Sequence, residues 1–255
     1  MPEHNNRYDY IVVGAGTAGS VLAARLSEDK AARVLLLEVG NWNLPPASGH
    51  PPAWPTLMQS HATWGDSTTV QRATGRQLPF FRGRGIGGSS SINAMVFARG
   101  HRESYSSWEE AGAKGWGFDD LLPYFKRSES APHGDSAIRG HDGPMTVSPA
   151  DPPNPVLVAC LKAALECGFG CAADISGGLE TGFGFTDLNI VDGKRQSAAD
   201  AYLLPALSRP NLELVTDAMV QRLHIKGNRC TGVDYTPGGG HTVTTALAGE
   251  IILAA

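Results

Sequence analysis

An α/β fold is what this sequence predicts, and three observations carry it. Tyr8 to Val13 is a run of aromatic and β-branched residues. Thr17 to Leu26 then places Ala18, Val21, Leu22 and Leu26 at helical spacing. Arg33 to Glu38 contains the continuous apolar stretch of a strand buried on both faces. Together these make a strand, helix and strand unit of the parallel α/β kind.

The remaining elements follow in order. From Asn41 to Arg82 prolines dominate, with Pro45, Pro46, Pro51, Pro52 and Pro55 excluding long helices, so a loop-rich excursion is expected. Ser104 to Ala111 and Asp119 to Ser128 read as short helices. The second is capped by Asp119 or Asp120 and requires Pro123 in its first turn. Asn154 to Cys167 reads as a helix entered after Pro152-Pro153 and ended by Gly168. The period then changes: Asn211 to Val215, Met219 to Ile225, Cys230 to Tyr235, His241 to Thr245 and Glu250 to Leu253 form short β-type runs, expected as an antiparallel meander returning to the main sheet.

Composition bounds the function. The 255 residues correspond to one or two domains, and 42% hydrophobic with 18% charged residues excludes a disordered or fibrous chain. A net charge of -4 without a basic block argues against a nucleic-acid partner. No apolar run is long enough to span a membrane, and Met1 to Tyr10 is polar, without the apolar core of a signal peptide, so a cytoplasmic chain is expected. Cys160, Cys167, Cys171 and Cys230 form no C-x-x-C pair and are expected as reduced thiols. The eight histidines lack any zinc-ligand spacing, so no metal site is expected.

Two glycine-rich stretches carry the chemistry. Gly14-Ala15-Gly16-Thr17-Ala18-Gly19 fits G-x-G-x-x-G between the first strand and the helix, the Rossmann arrangement that brings a pyrophosphate to free N–H groups at a helix N-terminus. Glu38 ends the second strand where an acid takes the ribose hydroxyls of an adenosine and disfavours a 2'-phosphate, leaving NAD or FAD. The second stretch, Arg82-Gly83-Arg84-Gly85-Ile86-Gly87-Gly88-Ser89-Ser90-Ser91-Ile92-Asn93, runs directly into the apolar segment Ala94 to Ala98, unlike a flexible linker. Ordering so many glycines costs conformational entropy that a bound group can offset. An extended cofactor touching backbone in two places, such as FAD, suits the pair.

These residues resemble the N-terminal half of the glucose-methanol-choline (GMC) flavoprotein oxidoreductases, of choline dehydrogenase-like or alcohol oxidase-like type. The resemblance runs through Tyr10 to Gly19, the signature Gly83 to Asn93, Arg99-Gly100-His101, Gly115 to Phe125, Gly143-Pro144, Ala201-Tyr202-Leu203 and Arg209-Pro210-Asn211-Leu212. It implies an α/β Rossmann-like FAD-binding domain plus part of an α+β substrate domain, truncated relative to the family. The implied division is 1–150 for the first part of the FAD domain, with a covering loop at about 41–100; 151–210 for the partial substrate domain; and 211–255 for the returning meander.

The resemblance also implies roles. Gly14, Gly16, Thr17 and Ala18 would line the pyrophosphate turn and Glu38 would hold the adenosine ribose. Arg84, Gly88, Ser89, Asn93, Ala94 and Val96 would follow the pyrophosphate, ribityl chain and flavin ring, and Val220 would meet the adenine. Ile92 stands where some members tether FAD through a histidine, so non-covalent FAD is expected. The implied chemistry is oxidation of an alcohol CH–OH by hydride transfer to flavin, assisted by a histidine base that members carry in their C-terminal half. No catalytic residue is therefore assigned here, and His101, His224 and His241 are read as surface or loop residues. The chain alone is expected to be inactive. Alternatives are a non-catalytic flavin-binding remnant, a subunit of a split enzyme whose second polypeptide supplies the C-terminal half, a family lyase, and a nicotinamide-dependent Rossmann dehydrogenase. Trp108, Trp116, Tyr124 and Phe125 are expected to pack around the two short helices.

Overall fold

A computed structural model describes residues 6–178 and 181–255. Contacts divide the chain into two units, Met1–Ala94 with Arg195–Ala255, and Met95–Lys194. The expected divisions at 150 and 210 fall inside units, because the second unit is inserted between two parts of the first.

The first unit is built on a six-stranded sheet. β1 (Arg7–Val13), α1 (Thr17–Leu26) and β2 (Val34–Leu37) form the expected opening unit. After the insertion come β3 (Leu212–Val215), β4 (Met219–Lys226), β5 (Arg229–Thr236) and β6 (Thr244–Leu253). The strand order is β3, β2, β1, β6, β5, β4. β1 lies parallel to both β2 and β6, with Val13 opposite Leu37 and Leu253, and every residue of β2 is buried. The core around Ile11, Leu35, Leu37, Val233 and Ala246 fills one face.

The C-terminal strands depart from the expected meander. Leu212–Val215 pairs in parallel with β2, and only β4, β5 and β6 fold back antiparallel. The runs His241 to Thr245 and Glu250 to Leu253 are not two strands: β6 continues through Ala248-Gly249, because its alternate edges pair with β1 and β5. Local pattern cannot reveal this, since the partners lie far apart in sequence.

In the second unit, α2 (Arg102–Glu110), α3 (Phe118–Ser128) and α4 (Pro155–Glu166) match the three expected helices. Asn154 caps α4 through Oδ1, which accepts from Val156 N–H at 2.9 Å. In α3 the N-cap is Gly117, whose N–H donates to Asp120 at 3.2 Å. Pro123 consequently lies inside the helix, not in its first turn; its missing N–H leaves the Asp119 carbonyl without the usual helical donor. The aromatic expectation holds in part. Tyr105, Phe118 and Phe125 cluster with ring centroids 5.5 to 6.1 Å apart, and Trp108, though half exposed, packs edge-on to Tyr105 at 5.3 Å; Trp116 and Tyr124 are more than half exposed. Among the described residues, no helix is long and apolar enough to cross a membrane.

Candidate cofactor site

The site begins where β1 ends. The Gly14 N–H donates to Leu37 O at 2.7 Å, tying the turn to β2. α1 then starts with Gly16 as N-cap, without a capping side chain and without an acid in its first turn. Its N-terminal N–H groups and positive dipole end are thus available to an anion.

The second glycine-rich stretch packs onto this turn. Gly87 N–H donates to Ala15 O at 2.7 Å, and Gly88–Ser91 forms a 3₁₀ turn. Gly88 has a φ of +52°, and a Cβ there would sit 2.7 Å from the Gly16 Cα, so the two backbones meet directly. Glu38 binds the assembly from below. Its side chain is buried, Oε2 accepts from Ala15 N–H at 2.7 Å, and Oε1 accepts from Gly40 N–H at 2.7 Å and Gly85 N–H at 3.0 Å. A carboxylate offers about four acceptor sites, so these three donors leave capacity for one more.

Between the loops lies a cleft of about 410 Å³. Gly14, Gly16, Thr17, Ala18, Glu38, Gly88, Ser89 and Val220 all line it. Four other expected residues do not. Arg84 is exposed and its guanidinium lies 5.5 Å from the centroid of the Trp64 ring. Asn93 Oδ1 accepts from Arg195 at 2.7 Å. Ala94 is half-buried. Val96 belongs to the second unit, where its short strand pairs with Leu188. Sequence reasoning missed Trp64, Arg82, Ala218 and Met219, which also border the cleft. Ala218 and Met219 adjoin Val220, the one signal that could have found them; Trp64 sits in a proline-rich excursion without a motif.

The cleft suits a dinucleotide on an observation internal to the protein. A Cβ on Gly16 would meet nothing closer than the Gly88 Cα at 3.9 Å, an ordinary contact. Its φ of -70° is open to any residue. Neither packing nor conformation requires glycine there, and its bare backbone borders the cleft, where a pyrophosphate would have room to approach.

The histidines lie elsewhere. His101 caps α2, its Nδ1 accepting from Glu103 N–H at 3.2 Å. His224 Nε2 lies 2.7 Å from Asp234 Oδ1, and His241 is exposed. None lines the cleft. The hydrogen bond from Thr245, then that from His224, holds the Asp234 carboxyl below the ordinary carboxylate range. Among the described residues, no group of three His, Cys, Asp or Glu side chains could hold a metal ion.

The second unit contains a buried ion network. Arg139 is fully enclosed and donates to Glu129 at 2.7 Å, Asp174 at 2.8 Å and Asp187 at 2.6 Å. Burial alone would lower its pKa; the bonds to Glu129, Asp187 and Asp174 outweigh this and raise it. Arg99 also pairs with Glu129, while burial lowers its pKa. The network ties together the segments around Glu129, Arg139, Asp174 and Asp187, and the second oxygen of Asp187 lies 3.0 Å from His133 Nε2.

Comparison with known proteins agrees with this geometry. The family described as GMC oxidoreductase matches residues 8–255. The human protein "Choline dehydrogenase, mitochondrial" is 44% identical, the match covering 93% of this chain and 41% of the human one. "Oxygen-dependent choline dehydrogenase" of Rhizobium rhizogenes is 42% identical over 97% of this chain and 45% of its own. The crystal structure of pyridoxine 4-oxidase from Mesorbium loti superposes with a TM-score of 0.92 at 38% identity, covering 96% of this chain and 49% of that one. A formate oxidase crystal structure follows at a TM-score of 0.86 and 30% identity, covering 97% and 45%. The chain thus spans under half the length of these curated relatives. With the family match running from the first strand to the last residue, over the same turn and cleft, this chain belongs to the GMC oxidoreductase family.

Proposed function

We propose that this chain is the FAD-binding part of an oxidoreductase that acts on the CH–OH group of a small alcohol. The observation that carries the reading is the bare Gly16 backbone facing a cleft that two glycine-rich turns enclose. Bound FAD would supply the hydride acceptor. The chain's own residues do the holding: the N-terminus of α1 receives the pyrophosphate, Glu38 has capacity for a ribose hydroxyl, and Val220 walls the adenine end. The roles of Arg84, Asn93, Ala94 and Val96 toward the flavin end rest on the family resemblance. Ile92 in place of a tethering histidine supports non-covalent attachment.

The substrate reading rests on relatives whose names specify choline, an alcohol. The base that takes the hydroxyl proton belongs to sequence beyond the portion matched here, whether in the same polypeptide or a second one. A cytoplasmic location is part of the proposal, supported by four free cysteines.

The test is to purify the chain, record its visible spectrum and precipitate it with acid. Free FAD in the supernatant is the expected result. A colourless protein that binds NADH would favour the nicotinamide alternative, and rapid alcohol turnover by the chain alone would place the base within these 255 residues.

A further inference from the structure

In the second unit, α4 is an apolar helix without a buried residue. Lys162 and Glu166 are its only charged residues, one turn apart on one side. Val158, Leu161 and Ala164, at i, i+3 and i+6, are half-buried and form its less exposed side. Val156 and Leu157 are 68% and 55% exposed, with Ala159, Cys160, Ala163 and Leu165 exposed beside them. A helix lying on a protein surface carries polar residues on its outer face, and one that is apolar all round is enclosed.

The apolar face continues beyond the helix. Phe169 and Phe183 meet edge to face, their ring centroids 5.2 Å apart, and both stay about half exposed. Alongside α4, Pro153, Leu157, Cys160, Phe183, Phe185 and Leu188 line a groove of about 400 Å³. A small ligand filling that groove would leave Val156, Leu165 and Phe169 in water, because none of them lines it. The face therefore fits a larger surface, apolar and poor in charge, as the centres of protein interfaces are. The interior of this unit is also thin: among the described residues its buried apolar side chains are Met95, Phe118, Ala131, Val147 and Ala172. Domains close a core between packed layers, and α4 has a layer on one side only. The choline dehydrogenase relatives have the length to supply the other, since the stretch matched here is 41% and 45% of their own chains.

We propose that α4 and its groove seat the polypeptide that corresponds to the remaining length of these relatives, whether continuous with this chain or separate from it. The proposal rests on family membership and not on the cleft holding FAD, so the two readings fail separately. Cys160 reports on it directly, being a free, exposed thiol on the helix that also lines the groove.

The test follows maleimide labelling of Cys160 by peptide mass mapping in two proteins. One is the chain alone; the other is the chain fused after Ala255 to the portion of the Rhizobium rhizogenes relative that follows the matched region. Labelling should be slower in the fusion by about tenfold or more. Leu157→Glu, which puts a charge into the face, should return the fusion to within about twofold of the rate in the chain alone. The same variant should leave the denaturation midpoint of the chain alone nearly unchanged, because Leu157 is exposed there. If the fusion does not fold, the same portion co-expressed as a separate polypeptide takes its place. Cys160 as reactive in both as in the chain alone would overturn the proposal. So would a thiol already protected in the monomeric chain, since the face would then be closed from within. A dimer that shields Cys160 equally in the chain alone and in the fusion would make a second copy the occupant, and the proposal would fall.

Discussion

Glu38 Oε1 accepts a hydrogen bond from the Gly85 N–H at 3.0 Å across 47 positions of sequence, while its other oxygen holds Ala15. One carboxylate therefore joins both glycine-rich stretches. Glu38→Ala should lower the denaturation midpoint sharply, since three backbone donors lose their acceptor at about 1 to 3 kcal/mol for each buried unsatisfied group. Glu38→Gln, which keeps one acceptor oxygen, should fall between. Chemical denaturation of the three proteins checks the order, and equal midpoints would remove Glu38 from this structural role.

Two glycines of the first motif should behave oppositely. A Cβ at Gly19 would lie 1.8 Å from Gly14 O, whereas one at Gly16 meets only the ordinary 3.9 Å contact. Gly19→Ala should therefore cost about 1 to 3 kcal/mol or more of stability. Gly16→Ala should leave the denaturation midpoint nearly unchanged but weaken FAD binding about tenfold or more, because the methyl group occupies the pyrophosphate approach. Thermal melts of the apo chain and flavin release by fluorescence separate the two effects.

Arg139 is fully buried against Glu129, which is equally buried, and Asp187. Arg139→Met should destabilise the second unit by about 3 to 5 kcal/mol, because it strands carboxylates away from water. Hydrogen exchange should accelerate across Met95–Lys194 and much less in β1. Uniform acceleration throughout the chain would contradict a role confined to this unit.

Asp234 carries a pH signature. Its carboxyl is held below the ordinary range by Thr245 and then His224, so its folded pKa lies below its unfolded value. The associated stabilisation is present above the unfolded value of about 3.9 and is lost as pH falls through the folded one. The difference in melting temperature between wild type and Asp234→Asn should thus be present at pH 5 and close as pH drops below about 3.9. A difference that persists to the acid limit would show that the carboxylate charge is not its source.

What short-range physics controls is legible in the sequence. The β-branched run at Tyr8 to Val13, the G-x-G-x-x-G turn and the capped helices all depend on residues within a few positions of one another. Glu38 was visible as an acid at the end of a strand, though not as the bond between two loops, because Gly40 and Gly85 contribute only main-chain N–H groups that leave no trace in residue type. Pro123 falls inside α3 and not in its first turn because the cap is Gly117, whose N–H reaches the Asp120 carboxylate, a choice that residue type alone does not dictate.

The α/β class, the first glycine-rich turn and the family are written in residue types at fixed local spacing. Packing over long sequence distances, in contrast, puts β3 on the parallel side of the sheet, seats β6 between β1 and β5, and rests Gly88 on Gly16. It also decided that Arg195 reaches Asn93 across about one hundred intervening residues, 102 positions apart. Strand neighbours, backbone approaches and buried charge contacts are choices among distant partners. Their energies appear only when the packed chain removes both groups from water, so no local pattern can encode them.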